Sequence, residues 1–271
     1  MAQTYTSSKK PWQRFIALLM AFLVFASILV MVTSHIRGKR EQEAEIKKQQ
    51  ASTTAVTTQK STQSAILAQP QINIPAYTGK KPYALLNHGQ PYFDTKKPGE
   101  KKDFTVMPGY QEYSDLDKLG RCGTATACLG RDTMPTEPRG KIGMVKPSGW
   151  HTVKYDFIDG KYLYNRCHLI GYQLSGQNAN EKNLITGTRY LNVKGMLPFE
   201  NEVADYIEDT GNHVMYRVTP IFQGKELVAR GVLMEAESIE DGGQGIRFCI
   251  FCYNVQPGVS INYKDGTSRA V

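Results

Sequence analysis

Two side chains with clear chemical uses, Arg166 and His168, stand two residues apart in the segment Tyr164–Gly171 (YNRCHLIG). Asn192 follows 24 residues after the histidine, and Glu200 lies eight residues further on. Hydrolysis of a phosphodiester with one hard metal ion needs a base for water, a cation near the developing charge and a group that positions the phosphate. A cation, an imidazole, an amide oxygen and a carboxylate at these positions indicate that chemistry.

Each of the four residues has a candidate catalytic role. His168, with an ordinary pKa near 6.5, would be largely neutral at neutral pH and able to accept a proton. Asn192 offers an oxygen to Mg²⁺, which keeps several waters, and Glu200 would accept hydrogen bonds from those waters. Arg166 would contact a phosphate through its forked guanidinium.

Each residue also has a structural alternative. A single His is more often structural than catalytic. Asn192 is a residue type that caps helices, and Glu200 is a type favoured in the first turn of a helix by the helix dipole. Arg166 would equally serve in a surface ion pair. No carboxylate cluster for a two-metal site is visible in the sequence, so the catalytic interpretation depends on one ion.

Local patterns predict the elements that position the motif. An alternating stretch at 150–157 and a second strand at 161–164 predict a hairpin around the turn at 159–160 (Asp-Gly). This hairpin would lead directly into the segment that holds Arg166. A short helix is predicted around residues 113–119.

A helix is predicted after the motif. Its apolar residues recur at helical spacing: Phe199, Val203, Tyr206 and Ile207. Pro198 suits the first turn of this helix and Gly211 its end. If Asn192 and Glu200 share one helix, however, the helix must begin near Asn192 and Pro198 lies inside it.

Three long apolar strands follow, and we expect them to form an antiparallel meander: residues 214–222, 227–236 and 246–255. Together with the earlier strands they give a sheet of at least five strands. The predicted fold class is α+β, with a central antiparallel sheet.

The five cysteines allow two kinds of interpretation. Cys122 and Cys128 lie six residues apart in a Gly-rich loop and would pair in an oxidising compartment. Cys249 and Cys252 lie three apart in a strand, so their side chains should point to opposite faces. We expect buried strand thiols there, not a zinc site.

The first 75 residues differ in composition from the rest. Residues 15–34 are an uncharged apolar run that would make a helix of about 30 Å, which matches a bilayer core. A cleavable signal peptide is the alternative, although its apolar core is usually about 7–15 residues. We expect a cytoplasmic tail and transmembrane anchor at 1–37, a flexible linker at 38–75 and one folded domain at 76–271. Basic residues flank both ends of the run, so they do not settle its orientation.

The net charge of +8 is unevenly distributed. Residues 1–70 hold nine Lys/Arg and three Glu, whereas residues 71–271 hold 24 Lys/Arg and 22 Asp/Glu, a net of only +2. The total charge is therefore weak evidence for a polyanionic partner. One local cluster is either a solvated surface or a rim that follows phosphates: Lys80, Lys81, Lys96, Lys97, Lys101 and Lys102.

The stretch Tyr164–Leu197 resembles the DNA/RNA non-specific endonuclease family, the ββα-metal nucleases with an Asp-Arg-Gly-His motif. Within that family it is most similar to the membrane-anchored DNA-uptake nucleases of Gram-positive bacteria. The resemblance runs from about Tyr83 to Tyr263. It includes four further stretches: 135–138 (PTEP), 146–151 (KPSGWH), 217–220 (RVTP) and 253–258 (YNVQPG).

The resemblance implies roles residue by residue. His168 would be the general base, Arg166 would lie near the scissile phosphate, and Asn192 would bind the metal. Glu200 matches the helical Glu of the family. Two residues of the intervening stretch are candidate substrate contacts: Asn183 and Arg189.

The resemblance also implies a ββα-metal core, Mg²⁺ or Mn²⁺ as the metal, no small-molecule cofactor, and 5′-phosphate products. DNA is the expected substrate and RNA a second candidate. The nuclease domain would lie outside the cell, on an anchor formed by residues 15–34. A non-catalytic surface receptor that binds DNA on the same fold is the alternative, and a cell-wall or protein-interaction module is a third.

Two motif positions depart from the family pattern. Asn165 stands where the motif has Asp, so a negative charge beside the site is missing. Cys167 stands where it has Gly, which places a thiol next to the candidate base. The first change bears on rate and the second on sensitivity to oxidation.

Overall fold

The computed structural model describes residues 72–93 and 108–271, and the compact unit that contains them runs from Asn73 to Val271. The apolar run 15–34, nearly all of the predicted linker and four of the six clustered lysines lie outside the described residues. Within those two ranges, no helix is both long enough and apolar enough to cross a bilayer. The domain boundaries inferred from composition stay predictions.

A six-stranded antiparallel sheet lies at the centre of the described domain. Its strands are β1 (Tyr83–Leu85), β2 (Gln111–Tyr113), β3 (Ala125–Leu129), β6 (Val214–Ile221), β7 (Gly231–Ser238) and β8 (Arg247–Tyr253), in the spatial order β1-β8-β7-β6-β3-β2. The predicted α+β class is confirmed, and so is the predicted antiparallel meander, which is formed by β6, β7 and β8. Strand β7 begins four residues later than predicted because Leu227 and Val228 donate their N–H groups to the Tyr263 carbonyl instead.

The two faces of the sheet carry different side chains, because successive residues of a strand point to opposite sides. One face presents large apolar residues such as Tyr216, Met234 and Ile250 to the main core. On the other face, Arg217 and Glu235 lie opposite each other on β6 and β7, with Nε and Oε2 2.6 Å apart. The first face supports the candidate site.

Two helices accompany the sheet, the short α1 (Tyr172–Ser175) and the longer α2 (Leu197–Thr210), besides 3₁₀ turns at Asn87–Gly89 and Glu181–Asn183. Val203 and Ile207 of α2 are fully buried in the main core. Gly211 ends this helix in the left-handed conformation, with φ of 73°, as predicted.

A π-helical segment, Leu191–Met196, runs directly into α2. Helical conformation already begins at Arg189, so Asn192 and Glu200 belong to one continuous helical stretch. Pro198 has no N–H and its ring crowds the carbonyl of residue 194 in a regular α-helix. The wider π turn immediately before it accommodates the proline and moves Asn192 around the helix axis.

The strand pair that carries the motif is not the predicted hairpin. The motif itself is strand β4 (Tyr164–His168), and its antiparallel partner is β5 (Leu184–Thr188), which comes after the intervening loop. The predicted hairpin is reduced to a bridge between Lys154 and Tyr162. The chain changes its pairing partner at Leu163. The Leu163 N–H still donates to the Val153 carbonyl of the predicted hairpin, whereas the Leu163 carbonyl accepts from the Arg189 N–H, next to β5.

Asn254 joins the β4–β5 pair to the central sheet. Its Oδ1 accepts the Thr188 N–H at 2.8 Å, and its Nδ2 donates to the carbonyls of Thr186 and Ala229 at 3.0 and 2.9 Å. Asn254 is fully buried, so each of these bonds would be costly to lose. The site is therefore fixed relative to the sheet at its β5 edge. A separate two-stranded ribbon, β9 (Val259–Ile261) with β10 (Ser268–Ala270), completes the strands.

The short helix predicted around residues 113–119 is wrong. Strand β2 occupies the start of this stretch, and a turn follows it. The Asp117 carboxylate accepts the N–H groups of Leu119 and Arg121, at 2.8 and 3.0 Å, and so closes that turn. Side-chain bonding to nearby backbone is how Asp favours turns over helices.

All five cysteines are buried free thiols. Cys122 lies against the carbonyls of Glu181 and Leu184, and Cys128 belongs to a different apolar cluster, so the structure does not pair them. Cys249 and Cys252 are buried strand thiols on opposite faces, as predicted. Cys252 packs in the main core, whereas Cys249 lies on the opposite face, beside Glu235.

Candidate active site

A cavity of about 430 Å³ lies where β4, the π segment and α2 meet. Five of the six residues singled out in the sequence line it: Arg166, His168, Arg189, Asn192 and Glu200. The strand pair and the helical stretch bring these residues together although they are spread over 35 positions of the chain.

His168 is held in one orientation. Its side chain is only 6% exposed, and Nε2 lies 2.8 Å from the carbonyl oxygen of Asn178. A carbonyl only accepts hydrogen bonds, so Nε2 carries the proton of the neutral ring and Nδ1 is left as the acceptor. Burial lowers the pKa of His168 below its ordinary value, and the positive charge of Arg139 lowers it further, against the opposing effect of the Asn178 bond. The imidazole is therefore neutral at physiological pH and able to take a proton.

Asn192 is oriented by the two residues that depart from the family motif. Its Nδ2 donates to Asn165 Oδ1 at 3.2 Å, and its Oδ1 accepts from the Cys167 thiol at 3.2 Å. A carbonyl oxygen has two lone pairs, so one remains for a further ligand. Cys167 is fully buried against Met196, and burial raises the pKa of its thiol well above the ordinary value. The thiol thus holds Asn192 in place, and its burial makes it a poor nucleophile and a poor target for oxidation.

Arg166 is fixed at the edge of the cavity by the loop that precedes the motif. Its guanidinium donates to the carbonyls of Val145 and Gly143 and lies over the Trp150 ring, with the central carbon 4.0 Å from the ring centroid. These contacts use two of its five N–H donors, so three remain for a ligand. A planar cation fixed in this way suits an anion such as phosphate.

Glu200 is a nearly buried carboxylate, 7% exposed, and no described residue gives it a hydrogen bond or an ion pair. Gly171 lies against it so closely that a Cβ at that position would be 3.1 Å from the carboxylate. Burial raises the pKa of Glu200 to about 8, although the charge of Arg139 acts in the opposite direction. A buried acid without a partner is a common feature of functional sites.

Arg139 is a candidate site residue that sequence reasoning missed. It is exposed, lines the cavity and makes no hydrogen bond or ion pair with the described residues. Its only signal in the sequence is its place in the loop 135–140 (PTEPRG), which was assigned as turns. Arg189, by contrast, was predicted, and an ion pair of 2.8 Å with the exposed Asp159 orients it beside the cavity.

The structure corrects the predicted role of Asn183. It was predicted as a substrate contact, but it is fully buried and does not line the cavity. Its Oδ1 accepts the Ile170 N–H and its Nδ2 donates to the Ile170 carbonyl, both at 2.9 Å. Both polar atoms of its amide are thus used to hold the chain just after the motif. Asn183 therefore supports the site from the protein interior and does not line the cavity.

We therefore expect Asn183→Ala to lower the free energy of unfolding by roughly 1–3 kcal/mol, because it leaves the buried Ile170 N–H without a partner and leaves the Ile170 carbonyl only its 3.3 Å bond from Ser175 Oγ. Chemical denaturation would measure this loss. At a temperature where the variant is still folded, its KM for nucleic acid should stay near that of the wild type. Unchanged stability with a raised KM would instead restore the substrate-binding role.

The residues around the cavity fit one hard divalent cation. Asn192 provides a neutral oxygen, and the carboxyl group of Glu200 lines the same cavity without an ion-pair partner among the described residues. Mg²⁺ binds through few protein ligands and keeps several waters, for which the cavity has room. Among the described residues no group of three or more His, Cys, Asp or Glu side chains could hold an ion, so the ion would depend on Asn192 and its waters.

The described domain is thus an α+β protein with an antiparallel sheet, a strand pair followed by a helix, and a cavity whose side chains are those of a hydrolase site. The chain belongs to the DNA/RNA non-specific endonuclease family, whose profile matches residues 101–240, about half of the sequence. The resemblance seen in the motif is thereby confirmed.

One relative is a deoxyribonuclease of Streptococcus dysgalactiae subsp. equisimilis, 36% identical over 110 residues that cover 39% of this chain and 32% of that protein. The chain thus spans about a third of the length of this curated relative.

Solved structures with the same fold include Sda1 nuclease with bound zinc, with 29% identity and a TM-score of 0.52 over 60% of this chain and 82% of that chain. NucA from Streptococcus agalactiae with no metal bound has 25% identity and a TM-score of 0.59 over 72% and 92%. The same NucA with magnesium bound gives 24% identity and a TM-score of 0.59. These likenesses confirm an α+β fold with a central antiparallel sheet.

Proposed function

We propose that this protein is a metal-dependent, sequence-non-specific endonuclease that hydrolyses phosphodiester bonds of DNA, with RNA as a second substrate, and leaves 5′-phosphate ends. The observation that carries the proposal is the convergence of His168, Asn192 and Glu200 with Arg166 on one cavity. Family membership supports the reaction class, and related structures with magnesium or zinc support a divalent metal.

His168 acts as the general base in this proposal. Its Nδ1 takes a proton from the attacking water, and the bond from Nε2–H to the Asn178 carbonyl stabilises the imidazolium as it forms. The Asn178 bond also holds the ring in one orientation and leaves Nδ1 as the nitrogen that accepts the proton. No reorganisation is needed when the reaction begins, which is how a fixed site lowers a barrier.

Three arginines bind the substrate phosphates. Arg166 presents its remaining donors from a fixed position, and Arg139 supplies a cation without a partner among the described residues. Arg189 lines the same cavity and is oriented by its ion pair with Asp159. A divalent cation held by Asn192, with Glu200 beside it, would supply stabilisation of the negative charge on the phosphorane and the leaving oxygen. The metal we propose is Mg²⁺, with Mn²⁺ as a substitute.

We also propose that residues 15–34 anchor the protein in the cell membrane and that the linker 38–75 holds the nuclease domain, residues 76–271, outside the cell. The apolar length of the first segment and the absence of aromatic residues from the linker support this arrangement. A nuclease of broad specificity would damage the nucleic acids of its own cytoplasm, which favours an extracellular domain.

The function is tested by incubating the full-length protein with single- and double-stranded DNA and RNA, with Mg²⁺ or with EDTA. We expect cleavage of DNA with Mg²⁺, none with EDTA, and fragments that a ligase joins without prior phosphorylation. Undetectable turnover together with salt-sensitive DNA binding would favour the non-catalytic receptor instead. Products that need a kinase before ligation would reject the 5′-phosphate assignment.

A further inference from the structure

A second cavity, of about 530 Å³, adjoins the first. The two share four lining residues: Arg139, Arg166, Arg189 and Asn192. The remaining wall comes mostly from the stretch that was predicted as a hairpin, and it includes Trp150, Thr152, Tyr162 and Tyr164. The volume lies in the range of sites that hold small molecules or single groups of larger ones.

Alternation along the chain separates the two faces of this stretch. Val153, Tyr155 and Leu163 pack on one side, in an apolar cluster with β9. Thr152 and Tyr162 face the second cavity. Leu163 is fully buried, whereas the neighbouring Tyr162 is 45% exposed. A large aromatic ring is therefore exposed to solvent at the cavity wall. The opposite, apolar side of this stretch is already packed against its own cluster.

Tyr162 is the aromatic surface available to a ligand. The Trp150 ring is covered by the guanidinium of Arg166, and Tyr164 is buried, with its hydroxyl donating to the Gly266 carbonyl. The Lys154 ammonium lies 4.6 Å from the centroid of the Tyr162 ring, but Lys154 does not line the cavity. The ammonium occupies one face of the ring, so the opposite face is the one available to a ligand in the cavity that Tyr162 lines.

The wall requires a ligand with two chemical parts. Three guanidinium groups line the cavity and suit phosphates, yet a phosphate alone has no use for an open aromatic ring. A purely apolar ligand has no use for three cations. A nucleotide combines both parts, because its base stacks on aromatic rings while its phosphate pairs with arginines. Only an unpaired base exposes its face in this way, since bases in a duplex are stacked on their neighbours.

We propose that the second cavity is a subsite for one unpaired nucleobase, which stacks on Tyr162 while the adjacent phosphates lie on Arg139, Arg166 and Arg189. The subsite rests on the proposed nuclease function and adds a preference to it. The strand being cut is bound with at least one base out of the stack, so single-stranded and frayed segments are favoured over continuous duplex.

Binding is measured with the full-length protein in EDTA, where no cleavage interferes, by fluorescence anisotropy of a labelled oligothymidylate of about eight nucleotides. We expect Tyr162→Ala to weaken binding about 5- to 100-fold, the usual loss for one stacked base. Tyr162→Phe keeps the ring and should stay within about twofold of the wild type. Because Tyr162 is 45% exposed, the alanine variant should fold like the wild type, and its thermal unfolding is recorded in parallel.

Phe157→Ala is the matched control. Phe157 is a more exposed aromatic residue, 59% against 45% for Tyr162, on the same stretch of chain, but it contacts Tyr155 and does not line the cavity. This variant should bind like the wild type. An abasic oligonucleotide of the same length supplies the second comparison: wild type and Tyr162→Ala should bind it equally weakly, because it has no base to stack.

Two results would overturn the subsite: oligothymidylate binding by Tyr162→Ala that equals the wild type, or an equal loss with the abasic oligonucleotide. Failure of the nuclease function is read separately, from cleavage by the wild type with Mg²⁺. If the protein cleaves DNA and Tyr162→Ala still binds normally, only the subsite is rejected. If binding depends on Tyr162 but no cleavage occurs, the subsite stands and the nuclease function fails.

Discussion

Replacement of His168 with alanine is expected to lower kcat for DNA hydrolysis by about 10²- to 10⁴-fold, with little change in KM. The variant loses the imidazole of the cavity, whose Nε2 donates to the Asn178 carbonyl and whose pKa is lowered by burial, so that the ring is neutral and able to accept a proton. The phosphate contacts of the three arginines are unaffected, so substrate binding should persist. Initial rates at several DNA concentrations separate the two constants.

His213→Ala is the matched control for this experiment. His213 is also a partly buried histidine on the described domain, but its Nδ1 lies 2.6 Å from Glu240 and it does not line the cavity. Its removal should leave kcat unchanged apart from any loss of stability. If His168→Ala cleaved DNA as fast as the wild type, His168 would not be the base and the proposed mechanism would be wrong.

The residues around the motif show what sequence spacing can predict. Arg166 and His168 are two apart in a strand, so they share one side of it, and a helix with Asn192 and Glu200 two turns apart presents both to the same side. The meander of strands β6, β7 and β8 was likewise predicted from the sequence, because three long apolar stretches follow one another there. The helical spacing and the meander are local or depend on a repeated period, so the sequence predicted them, whereas the strand formed by the motif itself was not predicted.

The parts that sequence reasoning missed depend on contacts between distant residues. The turn at 159–160 is a strong local hairpin signal, but β4 gains more by pairing along five residues with β5, a partner that no local pattern identifies. Asn183 was a candidate site residue because the family resemblance matched it to a site Asn, and only its two bonds to Ile170 show that it is structural. Arg139 is a single cation in an irregular loop, where no periodicity marks its direction.

Glu200→Gln is expected to change how stability depends on pH. In EDTA, the free energy of unfolding of the wild type should fall as the pH rises from about 5 to about 8, and this fall should be much smaller in the variant. The reason is that burial raises the pKa of Glu200 to about 8 in the folded protein, whereas an unfolded Glu titrates at its ordinary value of 4.5. Gln has the same shape and does not titrate.

The sign follows from proton binding. Between pH 4.5 and 8 the folded state holds a proton on Glu200 that the unfolded state has released, so a rise in pH favours unfolding. The stability contributed by the protonated acid is fully present below about pH 4.5 and is lost as the pH rises through about 8. The difference between wild type and variant should amount to a few kcal/mol, with roughly 5 kcal/mol as the upper limit for a shift of this size. Urea denaturation at a series of pH values measures it.

Glu202→Gln provides the control, because Glu202 lies on the same helix but is exposed, and its removal should leave the pH dependence unchanged. His168 also titrates in this range, but it is present in all three proteins and cancels in the comparison. Equal pH dependence in wild type and Glu200→Gln would show that Glu200 is not a buried acid of raised pKa.

Addition of Mg²⁺ should remove the fall in the free energy of unfolding between about pH 5 and about pH 8, and it should do so in the wild type only. A divalent cation beside Glu200 favours the charged carboxylate and lowers its pKa, so the loss of stability towards pH 8 should disappear. The Gln variant has no charge to stabilise and should gain less from the ion. Equal stabilisation of both proteins by Mg²⁺ would place the ion away from Glu200, and the acid would then belong to the packing of the site and not to its metal.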